Sequence, residues 1–227
     1  MNRRALLCGT ALLGATALTG CQEEIEDMLL DEDDFEADAE PAGVDEDTLA
    51  TLGYEHVATE QRRIEREFDI AGESREIVAG NWVSTYLPEG ASDAAEAGEV
   101  PSELEDDGGA FGILTTPDFT IAGQTINPVE YFDDEELIEA IDDEVDSVII
   151  DDVERIDDSE ATILGETTEV GIFSVVIEID GDAYDGSAYL ARVEHEDDMV
   201  VPVGAHIDEV DAKDELLELM AHVEHPV

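Results

Sequence analysis

Four arginines lie close together in a chain that is otherwise dominated by acids. The chain has nine Lys and Arg residues against 63 Asp and Glu, and four of the nine are Arg62, Arg63, Arg66 and Arg75. This cluster suggests a docking site for an anionic ligand or for the acidic face of a partner protein. The alternative, which we favour, is that these arginines pair with the nearby acids Glu60, Glu65, Glu67 and Glu76. Arg66 falls on the otherwise apolar side of its predicted strand, where a charge must be paired or exposed.

Trp82 and the amides near it form a second candidate ligand site. Asn81, Trp82 and residues 124–128 have the side chains that often line a binding pocket. Trp82 is also the one tryptophan of the chain and is equally suited to the core, whereas Asn127-Pro128 is typical of a turn. Arg66 and Trp82 are therefore the candidate ligand-binding residues.

Two segments invite comparison with metal sites. His222, Glu224 and His225 could share a metal at the end of the last helix, because residues three apart on a helix are neighbours. The alternative is that a histidine near a helix C-terminus simply favours the helix dipole. Residues 180–186 are similar to a calcium loop, but Tyr184 and Asp185 stand where an EF-hand needs an oxygen ligand and a glycine, so we interpret them as a hairpin turn. No metal and no cofactor are expected.

No sequence motif of a known catalytic type is present. The chain has no HExxH, P-loop, GxGxxG or GxSxG pattern. Paired carboxylates cannot be singled out among 63 acids, so no catalytic residue is predicted. An envelope hydrolase or transferase that works through carboxylates stays open as an alternative.

The first 21 residues have the features of an export signal. Arg3 and Arg4 precede an uncharged stretch over residues 5–19, which is short for a membrane span and typical of a signal peptide. Residues 18–21, Leu-Thr-Gly-Cys, resemble the lipobox of prokaryotic lipoproteins. We therefore predict a signal peptide over residues 1–20 and lipidation of Cys21, which would place the domain on the outer face of the cell membrane. The pair Arg3-Arg4 resembles a twin-arginine signal, although Sec export stays open.

Charge and thiol content limit the classes of function. The formal net charge is −54, and the acids are spread over every segment, which is typical of a folded halophilic, haloarchaeal protein. Nucleic-acid binding is excluded, because it depends on Lys and Arg at phosphates. Loss of Cys8 with the signal peptide and lipidation of Cys21 would leave no thiol for a disulfide or a nucleophile.

The periodicity of the chain predicts a tether followed by one α+β domain. Residues 21–44 are interpreted as an acidic flexible tether, and residues 45–227 as a single domain with a mobile loop near 88–110. Helices are predicted over 45–52 and 133–141, and a last one after an Asp211 cap. Strands are predicted over 64–70, 75–87, 111–126, 147–153, 161–166, 170–180, 184–195 and 199–207, with a turn at 157–159. The predicted class is one antiparallel sheet of about seven strands with the C-terminal helix on one face.

Several short strings resemble a haloarchaeal lipoprotein family of unknown function. They are LGYE (52–55), GNWV (80–83), TTP (115–117), AGQTINP (122–128), LGE (164–166) and VEHP (223–226). Together with the lipobox, the resemblance covers residues 48–227. It implies a halophilic, lipid-anchored domain and adds no activity and no site. The leading expectation is therefore a non-catalytic surface domain that binds an envelope protein or a small ligand.

Overall fold

In the computed structural model of this chain, long β-strands make up most of the described residues. The structure describes residues 36–70, 73–91, 108–121, 124–135, 137–138, 148–179 and 182–227. The strands are β1 (Glu36–Asp38), β2 (Gly43–Val44), β3 (Tyr54–Ile70), β4 (Glu73–Pro88), β5 (Ala110–Pro117), β6 (Phe119–Ile121), β7 (Gln124–Ile126), β8 (Val148–Ile163), β9 (Glu166–Ile179), β10 (Asp182–Ala191), β11 (Val193–His195), β12 (Asp198–Ile207) and β13 (Val223–Glu224). The helices are α1 (Glu46–Leu52), a 3-10 helix (Pro128–Tyr131) and α2 (Lys213–Ala221).

Nine of the strands form one large sheet. Its order is β1-β4-β5-β12-β10-β9-β8, with β3 paired to β4 and β11 paired to β12. All pairs are antiparallel except β1–β4, which is parallel. The expected α+β class with a large antiparallel sheet is thus confirmed at that level. The expectation of a single sheet of about seven strands is corrected, since β2–β13 and β6–β7 form two further small sheets.

The last helix covers one face of the large sheet. Tyr86, Phe111, Gly204 and Tyr189 lie opposite one another across four strands, and we call the face that carries them the helix face. A Cβ atom on Gly204 would lie only 3.0 Å from a methyl carbon of Leu216 in α2. The glycine therefore allows α2 to approach the sheet closely, as the predicted position of the C-terminal helix requires.

The helix predicted over 45–52 is present as α1, whereas the cap predicted for the last helix is wrong. Asp45 caps α1 by accepting from Thr48 N–H at 2.9 Å, and Gly53 ends it with φ 75°. At α2 the N-cap residue is Ala212, with no side-chain cap bond, so Asp211 is not the cap. Ala212 is buried, and the acids Asp214 and Glu215 in the first turn supply the favourable charge instead.

The turn predicted at residues 157–159 is wrong, because β8 runs through it. β8 pairs with β9 as far as Ile163, with register shifts between Asp151 and Glu154 and between Arg155 and Asp157. The reversal lies at Leu164 and Gly165, both with positive φ of 51° and 82°, as in a type I′ hairpin turn. β8 is an edge strand with many exposed residues. Its polar residues at 157–159 therefore have the composition of a turn although they lie within a strand.

The folded part begins before residue 45. β1 pairs with β4, β2 pairs with β13, and Ala39, Ala42 and Val44 are buried. The flexible tether predicted over 21–44 is therefore wrong for residues 36–44, whereas residues 21–35, with Cys21, lie outside the described residues.

Two other predictions are covered only in part. Of the helix predicted over 133–141, residues 134–135 and 137–138 are helical and Leu137 and Ile138 are buried, whereas residues 136 and 139–141 lie outside the described residues. Most of the loop predicted near 88–110 also lies outside them, since 92–107 are not described. No helix among the described residues is long and apolar enough to cross a membrane.

Candidate functional site

Residues 39–44 cross the helix face as an extended segment, which we call the strap. Three alternate residues of β4 bind its backbone. Trp82 Nε1 donates to Ala39 O at 3.0 Å, and Ser84 Oγ donates to Ala42 O at 2.7 Å. Tyr86 OH accepts from Val44 N–H at 3.1 Å. Alternate side chains of a strand point to one face, so β4 offers a row of polar groups that matches an extended backbone.

The opposite side of the strap is held by β12 and the C-terminus. Glu40 N–H donates to Asp198 Oδ2 at 2.8 Å, and Val227 N–H donates to Pro41 O at 3.0 Å. β2, at the end of the strap, pairs with β13 through Val44 and Val223. The strap is thus bound like a peptide in a groove, with the rest of the chain as its receptor.

Asp198, His225 and His195 form a connected polar cluster under the strap. His225 Nε2 lies 3.1 Å from Asp198 Oδ2 and 3.2 Å from Glu40 O. Both of these atoms accept hydrogen bonds, so Nε2 must carry the hydrogen. The Nδ1 atoms of His225 and His195 lie 3.1 Å apart, which requires one of them to donate and the other to accept. This cluster is a chain of hydrogen bonds that leads from a buried carboxylate to a partly exposed imidazole.

Burial controls the charge on Asp198. Its side chain is 8% exposed and that of His225 is 1% exposed. Loss of hydration raises the pKa of the Asp198 carboxyl above its ordinary value, while the hydrogen bond from Glu40 N–H and the nearby His225 oppose the rise. A carboxylate with a raised pKa beside a histidine is the feature of this site that most resembles a catalytic group.

Tyr189 and His206 form a second buried polar pair that the sequence did not reveal. Their rings stack at a centroid distance of 5.8 Å, and Tyr189 OH lies 3.1 Å from His206 Nε2. His206 Nδ1 lies 2.8 Å from Ile207 O and therefore donates to it, so a neutral His206 accepts from Tyr189. Burial raises the pKa of Tyr189, which keeps its donor proton in place.

The residues weighed as a possible metal site, His222, Glu224 and His225, are not placed to share an ion. His222 is exposed, and its Nδ1 donates to Glu218 O at 2.9 Å. His225 instead points into the cluster with Asp198. Among the described residues, no group of three or more His, Cys, Asp or Glu side chains is placed to hold a metal ion. In the segment compared with a calcium loop, residues 182–186 belong to β10 and pair with β9.

The two arginines of the cluster whose side chains are described, Arg62 and Arg63, pair with acids. Arg62 contacts Glu60 at 2.9 Å, as expected. Arg63 contacts Glu36 at 2.6 Å and Asp38 at 3.5 Å, which belong to β1 rather than to the hairpin. The side chains of Arg66 and Arg75 lie outside the described residues.

Arg66 and Trp82 do not share a site. The backbone of Arg66 pairs with Ile77, and Trp82 pairs with Gln61. Ile77 and Trp82 are an odd number of residues apart on β4, so their positions lie on opposite faces of the sheet. Trp82 is half-buried, and its indole binds the chain's own Ala39. Asn127 begins the 3-10 helix by accepting from Val129 N–H, which confirms a turn there.

Arg192 holds the 3-10 helix against the sheet and was not noticed in the sequence. It donates to Val129 O at 3.1 Å, to Phe132 O at 2.9 Å and to Asp134 at 3.0 Å. The sequence signal for this role is that Arg192 is a lone cation between apolar strand residues, where a charge must be paired. Its donors are engaged with the chain itself, so we assign it a structural role.

Comparison with known protein families gives one match. Residues 41–224 match a family described as a domain of unknown function, DUF6517. The match starts inside the strap and ends at Glu224, so it includes Asp198, α2 and every strand of the large sheet except β1. No curated protein matches the chain.

Proposed function

This chain belongs to the DUF6517 family, and we propose that it is a non-catalytic binding domain, held by lipid on Cys21 at the outer face of the cell membrane. Its ligand would be an envelope protein or a small molecule met at that surface. We further propose that the domain works in concentrated salt, as in haloarchaea.

The strap is the observation that carries the non-catalytic part of the proposal. A catalytic acid or base must reach the proton that it transfers. Trp82, Asp198 and His225 instead direct their polar atoms to residues 39 and 40 of the same chain. The groups with the most reactive chemistry in the described part of the chain thereby stabilise the fold. A partner would therefore bind the outer surface of the domain rather than a pocket lined by these groups.

The strap also supports display from an N-terminal anchor. Residues 36–44 are bound to β4, to β12 and to the C-terminal segment, so force applied to the preceding segment would be transmitted directly to the sheet. The predicted lipidation site, Cys21, lies only fifteen residues before β1. An extended chain spans at most about 3.3–3.6 Å per residue, which would keep the domain within about 55 Å of the membrane.

Fractionation of cells tests the anchor. The Cys21→Ser variant should move from the membrane fraction to the soluble or secreted fraction when both are prepared in native salt. The Cys8→Ser variant is the matched control, because that cysteine lies inside the predicted signal peptide and should not alter the final location. Equal membrane retention of the Cys21→Ser variant would contradict lipid anchoring.

Crosslinking on intact cells tests the binding role. A carboxylate-reactive crosslinker suits a chain with 63 acids, and affinity purification followed by mass spectrometry identifies what stays attached. We expect one dominant partner joined through a confined set of positions, or one small molecule that copurifies. Crosslinks spread over abundant neighbours, with no retained small molecule, would overturn the proposal.

A carboxylate-based envelope hydrolase or transferase is the second candidate. The raised pKa of Asp198 and its link through His225 to the partly exposed His195 favour it. If this candidate is correct, the purified chain turns over envelope material and the His195→Gln variant loses that turnover while its unfolding transition is unchanged. Turnover that depends on His195 would therefore replace the binding proposal.

A further inference from the structure

The outer edge of β3 is open. β3 pairs with β4 on one side, and within the described part of the chain no strand pairs with its other side. Its register with β4 is interrupted between His56 and Ala58 and is regular from Ala58 to Ile70. An open, regular edge presents a row of unpaired N–H and C=O groups to another strand.

The opposite edge of the sheet differs. β8 carries two register shifts, and Asp152 has a positive φ of 52°. Bulges of this kind bend a strand and prevent it from accepting a new neighbour. The two long edges are therefore not equivalent, and β3 is the one suited to pairing.

The side chains of β3 near this edge are exposed and of mixed type. Residues 60–65 are all exposed, and Ile64, at 46% exposure, is one of three large hydrophobic residues that stand out in this way among those described. Glu60, Arg62 and Ile64 lie opposite Val83, Asn81 and Ala79, so they share one face of the sheet. That face presents an acid, a base and an apolar side chain in a row.

We propose that two copies of this chain pair through β3, antiparallel, about a two-fold axis at Gln61. This register places Glu60 of each copy opposite Arg62 of the other, in addition to the contact that Arg62 makes with Glu60 of its own strand, and Ala58 opposite Ile64. Each copy thus contributes one ion pair and one apolar contact on the same face, and both are repeated by the symmetry. Opposite charges and apolar pairs directly across two strands stabilise a sheet, whereas like charges destabilise it.

The neighbouring registers are excluded by charge. In an antiparallel pair, directly opposed residues point to the same face of the sheet. If the same face of both copies is to continue across the dimer, the two-fold axis must lie where a residue is opposite its own copy. An axis at Glu60, Arg62 or Arg63 would set that charged residue opposite its own copy. An axis at Ile64 would set Arg62 opposite Arg66. An axis at Ala58 or Thr59 would avoid like charges but would include the irregular register between His56 and Ala58. Gln61 is the position that avoids like-charge pairs and keeps the pairing in the regular part of β3, and the paired segment from Ala58 to Ile64 would extend about 23 Å.

Self-pairing goes beyond the proposed binding role and does not depend on the lipid anchor. Attachment of both copies to one membrane would raise their effective concentration and favour the dimer. Failure of the dimer experiments below would leave the crosslinking result on envelope partners unaffected, so the two proposals are separately testable.

Disulfide formation tests the register. Directly opposed residues of antiparallel strands have Cα atoms about 4.5–5.5 Å apart, which is within the range of a disulfide. In a full chain carrying Cys8→Ser and Cys21→Ser, the Gln61→Cys variant should form a covalent dimer under mild oxidation in native salt. Glu60→Cys and Arg62→Cys should each remain monomeric alone and crosslink efficiently when mixed. Ser174→Cys, exposed on β9, controls for random oxidation.

Charge exchange gives a second, non-covalent measurement. In sedimentation experiments at the lowest salt that keeps the chain folded, Glu60→Arg alone should raise the dimer dissociation constant by about 10-fold, because two opposed pairs become repulsive. Adding Arg62→Glu to the same chain should restore dimerisation. A monomer at every concentration, or Gln61→Cys that crosslinks no better than Ser174→Cys, would overturn the proposal.

Discussion

His225 donates from Nε2 to Asp198 Oδ2 across 3.1 Å, although 27 residues separate the two in sequence and both are buried. The same carboxylate oxygen accepts from Glu40 N–H at 2.8 Å. One buried oxygen atom therefore joins the start of the domain, the edge of β12 and the C-terminus. These hydrogen bonds connect both ends of the described domain to the large sheet.

Removal of the Tyr86 hydroxyl should destabilise the domain. In the Tyr86→Phe variant, Val44 N–H stays buried without its acceptor, which costs about 1–3 kcal/mol of unfolding free energy. Denaturant titration in concentrated salt measures the difference. Ser174→Ala, which removes an exposed hydroxyl on β9, is the control. Equal stability of the two variants would show that the strap is not held as described.

The stability contributed by Asp198 should depend on pH with a definite sign. Burial raises the pKa of this carboxyl in the folded state, so folding favours its protonated form. That contribution is fully present below the unfolded pKa, 3.8, and is lost as pH rises through the higher folded pKa. As pH falls from 7 towards 4, wild-type stability should therefore increase relative to that of Asp198→Asn.

Denaturant titrations of both proteins across this pH range measure that difference. The other acids are common to both chains, so their contributions largely cancel in the comparison. Asp198→Ala, which removes the acceptor of Glu40 N–H, should cost up to about 3 kcal/mol at neutral pH. If acidification instead stabilises Asp198→Asn relative to the wild type, the raised pKa of Asp198 is contradicted.

Close packing at Gly109 should distinguish it from a neighbouring glycine. A Cβ atom on Gly109 would lie 2.4 Å from Ala205 O and 3.1 Å from a methyl carbon of Leu216. On Gly112 the nearest atom would be Ser84 O, at 3.7 Å. Gly109→Ala should therefore lower the unfolding free energy by about 1–3 kcal/mol through overpacking, while Gly112→Ala changes it little. Comparable effects in thermal unfolding of the two variants would argue against the position of α2.

Low salt should unfold the domain. The net charge is −54, and among the described residues Asp198 is the one acid that is buried, so the repulsion acts over the surface. Screening reaches about 3 Å at 1 M salt and about 10 Å at 0.1 M. Circular dichroism should report loss of β-structure as salt falls towards 0.1 M, and regain on its return. A fully folded, cooperative signal at 0.1 M would refute adaptation to high salt.

Hydrophobic periodicity and turn residues were sufficient to predict the elements that depend on nearby residues alone. The helix α1 and the reversal of the chain between β3 and β4 follow from these patterns, although the strand predicted over 64–70 covers only part of β3 (Tyr54–Ile70). β8 misled because an edge strand exposed along much of its length needs no apolar alternation, and its polar residues at 157–159 resembled a turn. The true turn at Leu164 and Gly165 carried only one strong signal, the glycine.

The strap could not be predicted from its own residues. It is bound through backbone atoms by Trp82, Ser84, Tyr86 and Asp198, so its side chains scarcely contribute to the pattern. The small residues of the strap are the one sequence feature that indicates close packing. A Cβ on Gly43, for example, would lie only 3.3 Å from Tyr86 OH. Likewise, no spacing rule joins Asp198 to His225, since strand register and the path of the C-terminus bring them together.

Hydrogen exchange of the strap tests the central claim most directly, namely that the polar side chains of the helix face hold the chain's own N-terminal segment. The amides of Glu40 and Val44 donate to Asp198 and Tyr86. In the full chain in native salt, peptides covering residues 39–44 should exchange as slowly as those from β12, and Asp198→Ala should selectively accelerate them. Exchange of this segment at the rate of an unfolded peptide in the wild-type chain would contradict the account.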